Sequence, residues 1–292
     1  MNRPLLLSVL ALASCAGPGA AQHTRKDYAL DKPERIFALP SHLREISALT
    51  DMDERTVAAL QDEIGTIYFI DHTNGRIQDS LHFAGPGDYE GLTRVGQDLY
   101  ALRSDGLIFH LRHADHGYAA PDTFRLHVPN RNLESLGYDE RNGILLVAAK
   151  DNLKGGPEVR DHRYVHGWDL RTNKQLEQPV LDLSLDQVIR KAQTLGVRLP
   201  RERKKNGKEI THFKLRPSSV AVHPEYDDYW ILSAADHTLL VVDRTGQLTD
   251  LIVLDPKLFP KAEGITFLAN GDLLISNEGH GEPADLLFFP KR

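Results

Sequence analysis

Glu90-Gly91-Leu92 is one copy of a triplet that occurs five times in this chain. The triplet consists of Glu or Ser, then a small residue, then a branched aliphatic residue. Its other copies are Ser47-Ala48-Leu49, Glu134-Ser135-Leu136, Ser218-Ser219-Val220 and Glu263-Gly264-Ile265. Successive copies start 43, 44, 84 and 45 residues apart. A period in the mid-forties is typical of repeats in which each unit is one β-propeller blade.

Short strands follow each triplet at similar distances. The triplet opens a first strand, a turn follows, and a second strand ends beside an acidic residue. Second strands are predicted over 56–60, 99–102, 144–149, 229–233 and 272–276, third strands over 66–70, 108–111, 164–169, 238–242 and 286–289, and fourth strands over 77–83 and 248–254. Four strands per repeat predict an all-β fold, a β-propeller of five four-stranded blades.

The last repeat lacks a fourth strand, and residues 35–39 form an apolar stretch that precedes the first triplet. We expect this N-terminal strand to complete the last blade. Such closure removes the exposed strand edges that an open array of blades would leave.

The 84-residue interval between two triplets has two interpretations. One is a sixth blade with a degraded triplet, and the other is an insertion. Residues 184–197 carry apolar side chains at helical spacing, with a Ser184/Gln187 capping box and Gly196 as a stop. Residues 198–208 follow as a basic stretch, which we expect to be an exposed, solvated loop. We therefore predict five blades with a helical and basic insertion over 184–215.

The N-terminus resembles an export signal. Residues 1–15 contain a weakly positive start and an apolar run that is too short to span a bilayer, and they end in a lipobox-like sequence at Cys15. Cys15 is the only cysteine and is predicted to be lipidated; cleavage after Ala21 is the alternative. Residues 16–33 are predicted to be a tether and 34–292 a single propeller domain. The sequence thus predicts an exported lipoprotein of the cell envelope, at the outer or plasma membrane, or otherwise a periplasmic or secreted protein.

Composition narrows the possible functions. The 292 residues are 41% hydrophobic and 26% charged, which suits a folded domain. The formal net charge of −6 at pH 7 argues against nucleic acid as a partner. The sequence contains no P-loop, no Gly-x-Ser-x-Gly and no His-Glu-x-x-His motif.

The triplets also supply the candidate functional residues. First and second strands of a blade are antiparallel, so the start of the first lies beside the end of the second. The innermost strands line the central channel, so we expect the first residues of the triplets to surround one channel mouth. The candidate metal ligands are Glu90, Glu134 and Glu263, assisted by Glu45, Ser47 and Ser218. A second tier at the same face comprises Asp62, Asp105, Asp151, Asp236 and Glu278.

So many carboxylates around one mouth require a counter-charge. Carboxylate and hydroxyl oxygens suit Ca²⁺, which accepts six to eight oxygen ligands in flexible geometry. Two alternatives remain open at the level of sequence. The acids could lock neighbouring blades together, or Lys150 and Arg103 could neutralise part of the charge without a metal.

The five triplets with their flanks resemble the SdiA-regulated family, the YjiK-like group of bacterial envelope β-propellers. The resemblance covers residue 34 to the C-terminus and rests on 44–49, 87–92, 132–136, 216–220 and 262–265 as an ordered set. It implies a propeller at the cell envelope with a link to calcium and no established reaction. Ala48 and Ser135 stand where the family commonly has Gly, and the long segment 184–215 departs from its pattern.

Two functions follow as hypotheses. The first is a membrane-anchored, calcium-binding or interaction module whose loop face binds an unknown protein or small molecule. The alternative is a metal-dependent hydrolase, similar to phytases or lactonases, that uses a cation at the channel mouth. Catalytic residues are not assigned from the sequence.

Overall fold

The computed structural model describes residues 27–130, 132–203, 207, 209–211 and 213–292. The predicted export signal, Cys15 and residues 16–26 of the predicted tether lie outside these ranges. Within them, no helix is long and apolar enough to cross a membrane.

The strands are numbered in chain order. The first strand, β1 (Arg35–Ala38), precedes the blades. Blade 1 comprises β2 (Ile46–Asp51), β3 (Thr56–Gln61), β4 (Ile64–Asp71) and β5 (Arg76–Pro86). Blade 2 comprises β6 (Tyr89–Val95), β7 (Asp98–Arg103) and β8 (Leu107–Leu111), a small hairpin of β9 (His113–Ala114) and β10 (Gly117–Tyr118), and β11 (Asp122–Arg125).

The remaining blades follow the same plan. Blade 3 comprises β12 (Leu133–Asp139), β13 (Ile144–Ala149), helix α1 (Pro157–Arg160), β14 (His162–Asp169), β15 (Lys174–Gln175) and β16 (Leu181–Ser184). Helix α2 (Leu185–Thr194) and a hairpin of β17 (Arg201–Arg203) and β18 (Glu209–Thr211) come next. Blade 4 comprises β19 (Ser219–Val222), β20 (Tyr229–Ser233), β21 (Thr238–Val242) and β22 (Leu248–Val253), and blade 5 comprises β23 (Ala262–Phe267), β24 (Leu273–Asn277) and β25 (Asp285–Phe289).

The five blades form a closed β-propeller, as the triplet spacing predicts. The inner strands β2, β6, β12, β19 and β23 contact one another around the ring. The predicted closure is confirmed, because β1 pairs antiparallel with β25 and completes blade 5, with Arg35 opposite Phe288. The fourth strands of blades 2 and 3, which the sequence pattern did not indicate, are β11 and β16.

The triplet residues explain how the blades pack. The aliphatic third residues are all at most 4% exposed, and each packs in the cluster between its own blade and the preceding one. The small second residue lies where two inner strands approach closely. A Cβ at Gly91 would lie 2.7 Å from the backbone nitrogen of Leu136, and one at Gly264 would lie 2.8 Å from Cβ of Leu49. A larger side chain there would push the blades apart.

The insertion is helical, as predicted, and its apolar side packs on the interface of blades 3 and 4 through Val188 and Ala192. Two details differ from the sequence prediction. Ser184 precedes α2 but makes no side-chain capping hydrogen bond, so the predicted capping box does not form. The segment 198–208, predicted as a basic loop, contains strand β17, which pairs antiparallel with β18 and places Arg201 opposite Thr211.

The tether prediction is wrong in its last seven residues. Tyr28 is 1% exposed and Leu30 is 4% exposed, and both belong to the apolar cluster between blades 4 and 5. The propeller domain therefore includes residues from 27 onward rather than starting at 34. The physical reason is that both side chains bury apolar surface in this cluster, and the Tyr28 hydroxyl also donates a hydrogen bond to the carbonyl of Gly271.

The channel has two different ends. We call the end where the inner strands begin the glutamate face, and the end that carries the turns between first and second strands the turn face. Residue 27 and the last residue meet at the turn face, where the backbone N–H of Arg292 donates to the carbonyl of Asp27 at 3.0 Å.

Candidate functional site

A β-bulge marks the first residue of four of the five triplets. The pairing register of first and second strands shifts between Ile46 and Ala48, Tyr89 and Gly91, Leu133 and Ser135, and Ala262 and Gly264. The extra residues are therefore Ser47, Glu90, Glu134 and Glu263. Bulges bend a strand and re-aim a side chain, often beside functional sites. The repeat predicted where these residues lie, but it carried no signal for the bulge that orients them.

The two serine triplets hold blades together. The Ser47 hydroxyl donates to the carbonyl of Tyr89 at 2.7 Å, and the Ser218 hydroxyl donates to the carbonyl of Ala262 at 2.8 Å. In both cases the acceptor is the residue before the glutamate of the next blade. These two hydrogen bonds connect neighbouring blades, so the serines, rather than the glutamates, join one blade to the next. The predicted role of the serines in binding a metal stays a prediction.

Glu134 is paired with Lys150. The Nζ of Lys150 donates to Oε2 of Glu134 at 2.7 Å, and the glutamate is 6% exposed. Burial raises the pKa of Glu134, and Lys150 offsets part of that rise. Burial disfavours the charged form of Lys150, but the bond to Glu134 and the nearby carboxylates leave its pKa raised overall. Of the two counter-charges predicted from the sequence, Lys150 is present at the mouth.

Glu263 has a weaker partner. It is 5% exposed, and its Oε1 lies 3.6 Å from Nζ of Lys261. The same ammonium group also forms an ion pair and hydrogen bond with Glu278. Burial raises the pKa of Glu263 to about 7, against the opposing effect of Lys150 and Lys261. Lys261 therefore forms ion pairs with two carboxylates and neutralises only one negative charge.

The side chain of Glu90 forms no hydrogen bond or ion pair with any other described residue. Burial, helped by the carboxylates of Glu134 and Asp88, raises its pKa to about 9, while Lys150 opposes the shift. At neutral pH this carboxyl therefore holds a proton. A glutamate that is protonated at pH 7 marks a place where negative charge exceeds the available positive charge.

A second acidic pair lies at the same face. Burial and the neighbouring carboxylates of Glu45 and Glu278 raise the pKa of Asp62 to about 7. Its Oδ1 atom is buried and has no hydrogen-bond partner among the described residues. Asp62 and Glu278 of the predicted second tier therefore join the same electrostatic cluster as the triplet glutamates.

The other three second-tier acids do not join this cluster. Asp105 pairs with Arg103 and Arg125. Asp151 accepts a hydrogen bond from Asn132 at 2.9 Å, and Asp236 accepts one from Ser233 at 2.8 Å. Arg103, predicted as a possible counter-charge for the mouth, is thus engaged by Asp105, and its hydrogen bonds to that carboxylate lower the pKa of Asp105.

The mouth holds more acid than base. The carboxyl groups of the cluster are those of Glu45, Asp62, Glu63, Asp88, Glu90, Glu134, Glu263 and Glu278. In the described part of the chain, their ion-pair partners are Lys150 and Lys261. No three acidic, His or Cys side chains of the described residues already converge as metal ligands. Bound protons on the acids with raised pKa values therefore reduce the negative charge of this face.

The turn-face half of the channel contains a cavity of about 630 Å³ that the sequence did not predict. Its lining includes Thr50, Thr93 and Thr266 from three inner strands. At its rim, Arg94 donates to Asp51 at 2.5 Å and Arg141 donates to Asp227 at 2.5 Å. The triplet glutamates do not line this cavity.

Comparison with known proteins identifies the fold and no closer relationship. No family model matches the chain, and no curated protein matches it. The structure is similar to a glutaminyl cyclase of Myxococcus xanthus, with a TM-score of 0.55 and 12% identity over 89% of this chain and 95% of that one. It is also similar to the PQQ-bound aldose sugar dehydrogenase of Streptomyces coelicolor, with a TM-score of 0.54 and 12% identity over 89% and 98%. At such identities the likeness establishes the β-propeller fold alone.

Proposed function

We propose that this protein is a lipid-anchored propeller of the cell envelope whose glutamate face binds a divalent cation, with Ca²⁺ as the expected ion. The observation that carries the cation site is the state of Glu90 and Glu263. Their pKa values are raised to about 9 and about 7 by burial beside other carboxylates. A divalent cation at this mouth would supply the charge that protons and two lysines otherwise provide.

The donor chemistry fits Ca²⁺. Glu90, Glu134 and Glu263 offer oxygen ligands from three adjacent or facing blades, and Ca²⁺ accepts carboxylates in flexible geometry. Glu263 is buried with only a 3.6 Å ion pair to Lys261, and Glu90 has no ion pair in the described ranges, so both keep oxygen lone pairs for a ligand. Binding must be coupled to rearrangement of Lys150 and Lys261, because the carboxylates do not already converge.

This coupling gives binding a characteristic pH dependence. Ligating carboxylates must be deprotonated, so the cation competes with the protons on Glu90 and Glu263. Affinity should therefore rise with pH up to about 9, the pKa of Glu90. Binding near neutral pH should release protons into solution.

The experiment is a melting curve of the chain from residue 16 onward, with CaCl₂, with MgCl₂ and with EDTA, at pH 6 and pH 8.5. Binding to the folded state raises Tm by mass action. We expect a rise with Ca²⁺ that is larger at pH 8.5 and that the double variant Glu90→Gln/Glu263→Gln loses. Glu282→Gln removes one exposed carboxylate at the same face and serves as the matched control.

The result that would overturn the cation site is a Tm that is the same in Ca²⁺ and EDTA at both pH values. A rise that the double variant retains would move the site elsewhere. A direct titration of Ca²⁺ into unbuffered protein should acidify the solution, and no acidification would contradict displacement of protons.

The lipid anchor is tested separately. Cys15→Ser should abolish incorporation of labelled fatty acid and shift the protein from the membrane to the soluble fraction. Retention of the variant in the membrane fraction would refute the anchor. The alternative hydrolase would need a substrate site beside the glutamates, and the 630 Å³ cavity does not supply it because that cavity lies in the other half of the channel.

A further inference from the structure

The segment that leads from Cys15 into the propeller is attached at the turn face. The Tyr28 hydroxyl donates to the carbonyl of Gly271 at 2.5 Å and lies 2.8 Å from Nε2 of His223. Gly271 is in the turn between β23 and β24, and His223 follows the end of β19. The carbonyl of Gly271 and the imidazole of His223 therefore both lie at the turn-face ends of inner strands.

The hydrogen bonds of His223 determine how this attachment works. Its Nδ1 accepts from the backbone N–H groups of Glu225 at 3.1 Å and Tyr226 at 3.2 Å. The proton of the neutral ring is then on Nε2, which donates to the Tyr28 hydroxyl. Tyr28 is thus an acceptor from blade 4 and a donor to blade 5, which holds the segment at their junction.

The direction of the outer strands agrees with this attachment. Strand β24 runs from the turn face to the glutamate face, and β25 is antiparallel to it. Strand β1 is antiparallel to β25 and so runs away from the turn face, where the chain enters it. The described chain therefore reaches the propeller from the turn face.

The distance from Cys15 to this point has an upper bound. Cys15 and Asp27 are twelve residues apart, which span at most about 43 Å whatever their conformation. A blade is about 20 Å tall, since a strand of six residues rises about 3.3 Å per residue. Its four strands extend about 15–20 Å outward from the channel at about 4.8 Å spacing.

We infer that the anchored protein holds its turn face against the lipid bilayer and directs the glutamate face away from it. This inference rests on the lipid anchor at Cys15 proposed above. In the reverse orientation, the chain would have to cross the turn face, pass the blade edge and descend its full height. That path takes about 35–40 Å, which a segment of this length could cover only if it were almost fully extended. Such extension is unfavourable because it removes most of the conformational freedom of the segment.

The orientation assigns different partners to the two ends of the channel. The glutamate mouth meets the aqueous phase, where cations and soluble partners reach it. The 630 Å³ cavity opens toward the bilayer side, so its solutes arrive from the lipid surface or through the narrow gap above it.

The test supplies the anchor artificially, so that its outcome does not depend on natural lipidation. A hexahistidine segment replaces Cys15 at the start of the chain, and the protein binds vesicles of phosphatidylcholine with nickel-chelating and rhodamine-labelled lipids. A donor dye is attached to Gln97→Cys, in the exposed turn between β6 and β7, or to Glu282→Cys, in the exposed loop before β25. Energy transfer to the rhodamine lipids then reports which face lies nearer the membrane.

We expect a shorter donor lifetime at position 97 than at position 282. Equal lifetimes, or a shorter lifetime at 282, would overturn the orientation. As a control, a hexahistidine segment inserted after Gly281 attaches the glutamate face instead and should reverse the order. Failure of the anchor itself would appear only in the fractionation of Cys15→Ser, so the two proposals fail independently.

Discussion

Replacing Glu90 by Gln should stabilise the protein at neutral pH. The glutamate has a pKa of about 9 in the folded protein, raised from a reference value of 4.5 chiefly by burial and by its carboxylate neighbours. Between these two values the unfolded chain loses the proton and the folded protein keeps it. The folded state therefore binds more protons, and its stability falls as pH rises through this window.

The size of the effect follows from linkage. Each pH unit between 4.5 and 9 costs about 1.4 kcal/mol of unfolding free energy, so the cost of Glu90 at pH 7 is about 3 kcal/mol. Gln has nearly the same shape as the protonated acid and does not titrate. Glu90→Gln should thus be more stable than wild type by about 3 kcal/mol at pH 7, with no difference below pH 4. For a chain of this size, that corresponds to a Tm higher by roughly 6 °C.

Urea denaturation at pH 4, 7 and 8.5, in the presence of EDTA, measures this difference. Glu282→Gln removes an exposed carboxylate from the same face and should leave the unfolding free energy nearly unchanged at all three pH values. The reasoning is refuted if Glu90→Gln is no more stable than wild type at pH 7, or if the two proteins lose stability equally between pH 4 and 8.5.

Three further substitutions test the contacts around the site and the N-terminal segment. Tyr28→Phe removes the hydroxyl that bonds to His223 and to the carbonyl of Gly271 and should cost about 1–3 kcal/mol. Tyr28→Ala also leaves a cavity and should cost about 3–5 kcal/mol. Denaturation of both variants measures these costs, and a neutral Tyr28→Ala would mean that the segment is not part of the domain. Lys150→Met leaves Glu134 buried without its partner and should lower the unfolding free energy by about 3 kcal/mol at pH 8. The loss should be smaller at pH 5, where the acid can be protonated. An equal loss at both pH values would show that packing, not charge, is responsible. Ser218→Ala removes the hydrogen bond to Ala262 and should lower the unfolding free energy by about 1 kcal/mol. The effect of Ca²⁺ on Tm should stay the same, and loss of that effect would instead identify the serine as a ligand.

The repeat made much of the propeller predictable. Strand β13 has the predicted bounds, as do β20 and β21. The closing strand was predictable because the last repeat lacked a partner that only residues 35–39 could supply. The fourth strands β11 and β16 were not predicted, because each has only four residues. β11 is largely exposed, and β16 leads directly into helix α2, so neither gives a long strand pattern.

The candidate site was predictable in position and not in detail. Antiparallel pairing within each blade places Glu90, Glu134 and Glu263 at one channel mouth from sequence spacing alone. Which acids share a lysine depends on distances of a few ångströms between blades that are about 44 residues apart in the chain. The sequence therefore suggested Arg103 and Lys150 equally, whereas the structure pairs only Lys150 with the cluster.

The sequence by itself predicted a propeller, the first three strands of each blade and the face on which the glutamates lie, because these follow from local strand pairing and from the period of the repeat. Only the tertiary structure decided the charge state of each acid and the attachment of Tyr28. Burial and electrostatic coupling depend on neighbours from other blades, and a bulge of one residue is enough to re-aim a side chain. Among the described residues, two lysines form ion pairs in a cluster of eight carboxyl groups at the mouth. This excess of acid over base arises only when the closed ring brings the blades together.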